Sequence, residues 1–142
     1  MAQECSGNPP FGELHPGQQI LSWRQEQLAK GGQSSDLDWL LDLGGDLRWR
    51  ELQLLHLNPG RQVGLSSSLD ALAALWDRHL RSAEPLQYLV GLCPWRDLQL
   101  DVAPGVLIPR QETELLVELA LGLMGGRGPG LWADLGTGSG CL

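Results

Sequence analysis

The sequence predicts three successive parts: a small all-α bundle, a β-hairpin joint, and the truncated opening of an α/β sheet domain. Three observations carry that expectation. Residues 18–83 repeat apolar side chains at helical spacing between short breaks. Pro85, Gly91 and Pro94 then punctuate short stretches of partial alternation. The last residues run from an apolar segment, Leu131 to Leu135, into Gly136-Thr137-Gly138-Ser139-Gly140.

Composition narrows the function classes first. The 142 residues are 42% hydrophobic, enough to bury a core. The formal net charge is −7, with ten basic residues and no Lys/Arg block, which disfavours wrapping a nucleic-acid backbone. Cys5, Cys93 and Cys141 form no CxxC and no metal-ligand spacing with His15, His56 and His79, so no metal is expected. So sparse and odd a cysteine count fits a reducing compartment, here the cytoplasm. No stretch of about 18 apolar residues offers a membrane crossing. Residues 1–17 are polar, lack a secretory pattern, and are expected to form a disordered lead.

The bundle is expected to hold four helices. Ile20, Leu21, Arg24 and Leu28 suggest the first, ended by Gly31-Gly32. Ser35, followed by Asp38, suggests an N-cap for the second, whose face is Leu37, Leu40 and Leu41 and whose stop is Gly44-Gly45. Trp49, Leu52, Gln53 and His56 mark a third, closed by Asn58-Pro59-Gly60. Ser67 and Asp70 have capping-box spacing for the fourth, and Leu69, Leu72, Ala73, Trp76 and Leu80 make one apolar stripe. His56 and His79 are expected on helical surfaces, away from any nucleophile.

Residues 84–105 are expected to form the joint, with Leu98, Leu100 and Val102 alternating along a half-exposed strand. From 106 to 142 an amphipathic helix is expected near Thr113. Leu115, Leu116, Leu119, Ala120 and Leu123 would be buried, with Glu114 and Glu118 facing water. Leu131 to Leu135 would be the first strand. A helix before a strand, and a glycine loop after it, open a Rossmann-like sheet.

The loop is the candidate site. Glycines let a backbone turn tightly against a ligand, and the N–H groups of a following helix would point into the same space. Gly136, Gly138 and Gly140 give GxGxG, whereas the dinucleotide fingerprint is GxGxxG, which argues against a nicotinamide cofactor. No Gly-Lys-Ser/Thr of a phosphate loop follows. The plain alternative is a glycine turn without a ligand. Asp134 stands where such sheets bind ligands and would contact an ammonium or hydroxyl of a cofactor; otherwise it makes local backbone hydrogen bonds. Arg110, at a helix entrance, gains nothing from the helix dipole there, so it holds the loop or lines the pocket.

Two segments together, Val106-Leu-Ile-Pro-Arg-Gln-Glu-Thr-Glu114 and Asp134-Leu-Gly-Thr-Gly-Ser-Gly140, carry a resemblance. Glu84-Pro-Leu-Gln-Tyr-Leu-Val-Gly91 and Trp95 to Gly105 extend it, so that it covers about Ile20 to Leu142. The chain resembles the N5-glutamine methyltransferases that modify peptide chain release factors, a class I S-adenosylmethionine-dependent family. The resemblance implies S-adenosylmethionine as cofactor, held by Gly136, Thr137, Gly138, Ser139, Gly140, Asp134 and Arg110. It implies release factors as partners, docked in part by the helical domain. It also implies a monomeric full-length protein that binds neither membrane nor nucleic acid directly. The family commonly has Ile-Pro-Arg-Pro-Asp-Thr-Glu, where this chain has Gln111 and Glu112 in place of proline and aspartate. The family's Asn-Pro-Pro-Tyr motif, which holds the substrate amide, has no counterpart among these residues, so no catalytic residue is assigned. Residues 1–142 alone are accordingly expected to be inactive. Two other classes stay open: a non-enzymatic helical docking fragment, and a class I methyltransferase acting on another substrate.

Overall fold

The computed structural model describes residues 12–124, 130–131, 133–138 and 140–141. They divide into two compact units, Met1–Leu86 and Gln87–Leu142.

The first unit is the expected bundle with one addition. Its elements are β1 (Leu14–Pro16), α1 (Gly17–Ala29), α2 (Ser34–Gly45), α3 (Trp49–Leu57), β2 (Gln62–Gly64) and α4 (Leu69–Ser82). β1 and β2 pair antiparallel, with His15 opposite Val63. The disordered lead expected over residues 1–17 is thus corrected at its end; residues 1–11 lie outside the described residues. Strands of three residues ending in Pro16 are too short to show alternation. What holds β1 is tertiary: Gly17 N donates to Arg61 O and Gln18 N to Pro59 O, each at 2.7 Å.

Helix α1 packs on α2, α3 and α4, and α2 packs on α3 and α4. Ile20, Leu37, Leu40, Leu41, Leu55, Leu72 and Trp76 are fully buried between them. Each such side chain contributes about 1.5–3 kcal/mol through area removed from water. The buried face of α1 is Gly17, Ile20, Trp23 and Gln27, so of the four residues that suggest this helix in the sequence Ile20 alone belongs to it. On that face Trp76 Nε1 donates to the backbone oxygen of Gln27 at 3.2 Å. Arg24 instead reaches Asp38 of α2 through two hydrogen bonds, Nε to Oδ1 at 2.5 Å and Nη2 to Oδ2 at 2.9 Å.

Helix caps differ from the expected ones in two places. α2 begins at Ser34 after Gln33, with no side-chain cap, and Ser35 lies inside its first turn. α4 is capped by Ser68 rather than Ser67, its hydroxyl accepting from Ala71 N at 3.2 Å. Gly32 lets the α1–α2 connection pass close to the core: its φ is +86°, and a Cβ there would stand 2.5 Å from Trp76 Cζ2. His79 closes α4. Its Nδ1 donates to Glu84 O at 2.8 Å, and its ring stacks obliquely on Trp76 at 5.4 Å.

The boundary between the units falls inside α5 (Leu86–Val90), a short helix where the sequence suggests part of the hairpin joint. The hairpin itself is β3 (Leu92–Trp95) and β4 (Leu98–Asp101), with Trp95 opposite Leu98 and Cys93 opposite Leu100. Arg96 turns it with a φ of +55°. Its side chain is spent on an ion pair with Glu118, while its backbone N donates to Glu114 Oε1 at 3.3 Å. A 3₁₀ turn, Gln111–Thr113, leads into α6 (Glu114–Met124).

Two expectations for this unit are corrected. The apolar side of α6 is not buried: Leu115, Leu116, Leu119 and Leu123 are more than half exposed. Glu118 faces water as expected, 60% exposed, while pairing with Arg96, and the half-exposed Glu114 accepts from Arg96 N. Nor does a strand form over Leu131 to Leu135 among its described residues; Leu131 and Leu135 are 102% and 91% exposed. The reason for both is the same. A central parallel strand is fixed by hydrogen bonds to neighbours on both edges, and the preceding helix by packing on the sheet face. Among the described residues the only sheets are the two antiparallel pairs, so the Rossmann-like opening expected from the sequence is not formed by them.

Candidate functional site

The glycine loop sits in an open turn. Gly136, Gly138 and Gly140 have φ of +82°, +56° and +74°, a region in which residues with a Cβ are strained. Built Cβ atoms there would meet nothing nearer than 3.7 Å, so these glycines answer a backbone requirement, and the space above the turn is free for a ligand. Gly140 N donates to Thr137 O at 2.8 Å, and the Thr137 hydroxyl donates to Asp134 O at 3.2 Å. Asp134 therefore enters the turn through its backbone oxygen, and its carboxylate stands exposed. The hydroxyl lock is a role the sequence reading did not assign. Its only signal was a threonine three residues after an aspartate, a spacing shared by many turns. Ser139 lies outside the described residues.

Arg110 is exposed and precedes the 3₁₀ turn, where its carbonyl accepts from Thr113 N at 3.0 Å. Among the described residues its guanidinium has no hydrogen bond or ion pair, so nothing there ties it to Asp134 or the loop. The shallow recess of about 540 Å³ in this unit is lined by Arg96, Asp97, Glu114, Leu115 and Glu118, and does not include the loop. The segment from Tyr88 to Val106 is braced by the Tyr88 hydroxyl, which donates to Val106 O at 2.5 Å just ahead of the Ile108-Pro109-Arg110 run.

One titrating group is perturbed. Burial pushes the Cys93 thiol above the ordinary value of 9.0, and the negative charge that Cys141 can carry, one residue after Gly140, adds to the effect. Cys93 is therefore a packed side chain of β3, not an activated nucleophile. Among the described residues no three His, Cys, Asp or Glu side chains gather as metal ligands would. None of their helices is long and apolar enough to cross a membrane.

What such a loop has to do with methyl transfer comes from comparison with known proteins. No protein-family model matches the chain. A release factor glutamine methyltransferase of Prochlorococcus marinus is 50% identical over 137 residues, 93% of this chain and 46% of that protein. By sequence, the chain belongs with the release factor glutamine methyltransferases. Proteins of the same name from Gloeobacter violaceus and Synechocystis are 39% and 34% identical, covering 84% and 89% of the chain. The chain spans less than half the length of these relatives, 46%, 42% and 44% in the same order.

Proposed function

We propose that the protein to which this chain belongs transfers a methyl group from S-adenosylmethionine to the side-chain amide nitrogen of a glutamine in peptide chain release factors, and so tunes translation termination. The observation that carries the reading is the 50% identity to a release factor glutamine methyltransferase across 93% of the chain. S-adenosylmethionine supplies an electrophilic methyl on a sulfonium.

The residues present fit that group in kind. The positive-φ glycines leave room for close backbone approach, and the exposed Asp134 carboxylate offers a partner for the cofactor's ammonium or a hydroxyl. Gly136, Thr137, Gly138, Ser139, Gly140 and Asp134 are the proposed holding residues, with Arg110 beside them. Thr137 would keep the turn open by holding Asp134 O. An amide nitrogen is a poor nucleophile because its lone pair is delocalised. The protein's main contribution is then to fix that nitrogen near the methyl at about 3 Å and to accept its N–H bonds. No residue among these 142 is assigned to that clamp. The chain by itself is therefore proposed to be inactive, and the whole protein to work as a cytoplasmic monomer.

The test is to supply the relatives' remaining length from the chain's own reading frame and incubate that protein with S-adenosylmethionine and a release factor. One added methyl mass on a single glutamine-containing peptide is the expected result. Methylation of a nucleic acid or small molecule, with the release factor left unmodified, would remove the reading. For the isolated chain, micromolar binding of S-adenosylmethionine would contradict its proposed inactivity.

A further inference from the structure

The sequence has ten basic residues, and Arg127 lies outside the described residues, which leaves nine. Arg24, Lys30, Arg78 and Arg96 each have a carboxylate partner within hydrogen-bonding range. Arg48, Arg50, Arg61, Arg81 and Arg110 have none among the described residues. Three of those five, Arg48, Arg50 and Arg61, line one cleft of about 690 Å³ between α3 and β2. In a chain of net charge −7 this concentrates free positive charge in one place.

Local stability does not explain the placement. Arg48 is the N-cap residue of α3 and Arg50 lies in its first turn, where the helix dipole disfavours cations. Arg61 is held by the backbone, its N donating to Asn58 O at 3.1 Å and its carbonyl accepting from Gly17. Its side chain is left to solvent.

We propose that this cleft binds a carboxylate-bearing segment of a protein partner. Guanidinium forks match carboxylates in geometry, and Arg is favoured where they meet at interfaces. Two features select polypeptide over nucleic acid. Asp46 and Glu51 stand among the arginines and would repel a continuous phosphate backbone, while pairing with basic residues of a mixed segment. Leu54, 44% exposed, adds an apolar wall. The inference does not rest on methyl transfer, because the binding needs no cofactor. A chain that bound such a segment in a protein that methylated nothing would leave it standing.

Fluorescence anisotropy with a labelled Glu-Glu-Leu-Lys-Glu-Leu peptide, mixed but net acidic, at about 20 mM salt where screening is weak, tests it. A Lys-Lys-Leu-Lys-Lys-Leu peptide and an RNA hexamer serve as competitors. The acidic peptide is expected to bind best. Arg50→Glu and Arg61→Glu should each weaken it at least about fivefold, and Arg81→Glu, outside the cleft, less than about twofold. Arg50→Glu should do so with thermal stability unchanged or raised, since a carboxylate suits the first turn. The proposal is overturned by absent binding, by an equal loss in Arg81→Glu, by tighter binding of the RNA hexamer, or by a loss in Arg50→Glu that tracks a fall in stability.

Discussion

Gly32 is a position where one methyl group should be costly, and its cost can be divided by experiment. In Gly32→Ala the new Cβ would lie 2.5 Å from Trp76 Cζ2, 2.8 Å from Cη2 and 3.0 Å from Leu80 Cδ2. Trp76 has 0% exposure and is tied to Gln27 O, so the ring cannot swing aside without losing that hydrogen bond. Overpacking of this kind costs about 1–3 kcal/mol. The φ of +86° adds roughly 1–2 kcal/mol of backbone strain that glycine avoids. The sum, about 2–5 kcal/mol, is a large part of the ~5–15 kcal/mol that holds a small domain together. Trp76→Phe removes the overlapping ring edge, at a cost of its own from lost volume and the lost hydrogen bond. In the double variant the overlap with the Trp76 ring should vanish, while the Leu80 contact and the backbone strain remain. Urea unfolding followed by far-ultraviolet circular dichroism gives the four free energies. The double variant should be more stable than the sum of the single costs implies, by at least about 1 kcal/mol. Additivity within about 0.3 kcal/mol would refute the steric argument, and a Gly32→Ala cost below about 1 kcal/mol would refute both parts.

Two further outcomes follow from backbone conformation and from ionisation. Ala83 ends α4 in the left-handed region at φ +52°, so Ala83→Gly should raise stability by about 0.5–1 kcal/mol, read as a higher urea midpoint at unchanged slope. Cys93 titrates higher in the fold than in the unfolded chain, which means the native state holds its proton where the unfolded state loses it. Stability from this group is complete below the ordinary thiol value of 9.0 and declines as pH rises through it towards the raised folded value. Thermal melts from neutral to alkaline pH should show a decline that is reduced in Cys93→Ala relative to that variant's own neutral value.

How much was legible in the chain depends on where each instruction is written. The four helices of the first unit were readable, because a stripe such as Leu69, Leu72 and Trp76 encodes both a helix and its buried face within a few turns. The caps shifted by one residue at Ser68, and failed at Ser35, which lies inside a helix that already begins at Ser34. β1 and β2 were invisible, since their cause is a pairing across 45 or more intervening residues, the β1–β2 register. The glycine loop could be read because positive φ is a demand on single residues, and all three alternating glycines meet it. Grouping Arg48, Arg50 and Arg61 could not be read, because Arg61 joins the other two only once β2 lies beside α3.

By itself the sequence determined which segments coil, which face of α4 turns inward, and that Gly136, Gly138 and Gly140 take a positive φ that glycine easily allows. Those properties depend on neighbours within a few residues along the chain. Tertiary structure alone decided that Trp76 Nε1 would meet the Gln27 carbonyl of α1, that Arg96 would pair with the acidic edge of α6, and that Leu131 and Leu135 would stay exposed. A helix can satisfy its own hydrogen bonds, whereas a strand and an apolar face acquire their structure from whatever packs beside them.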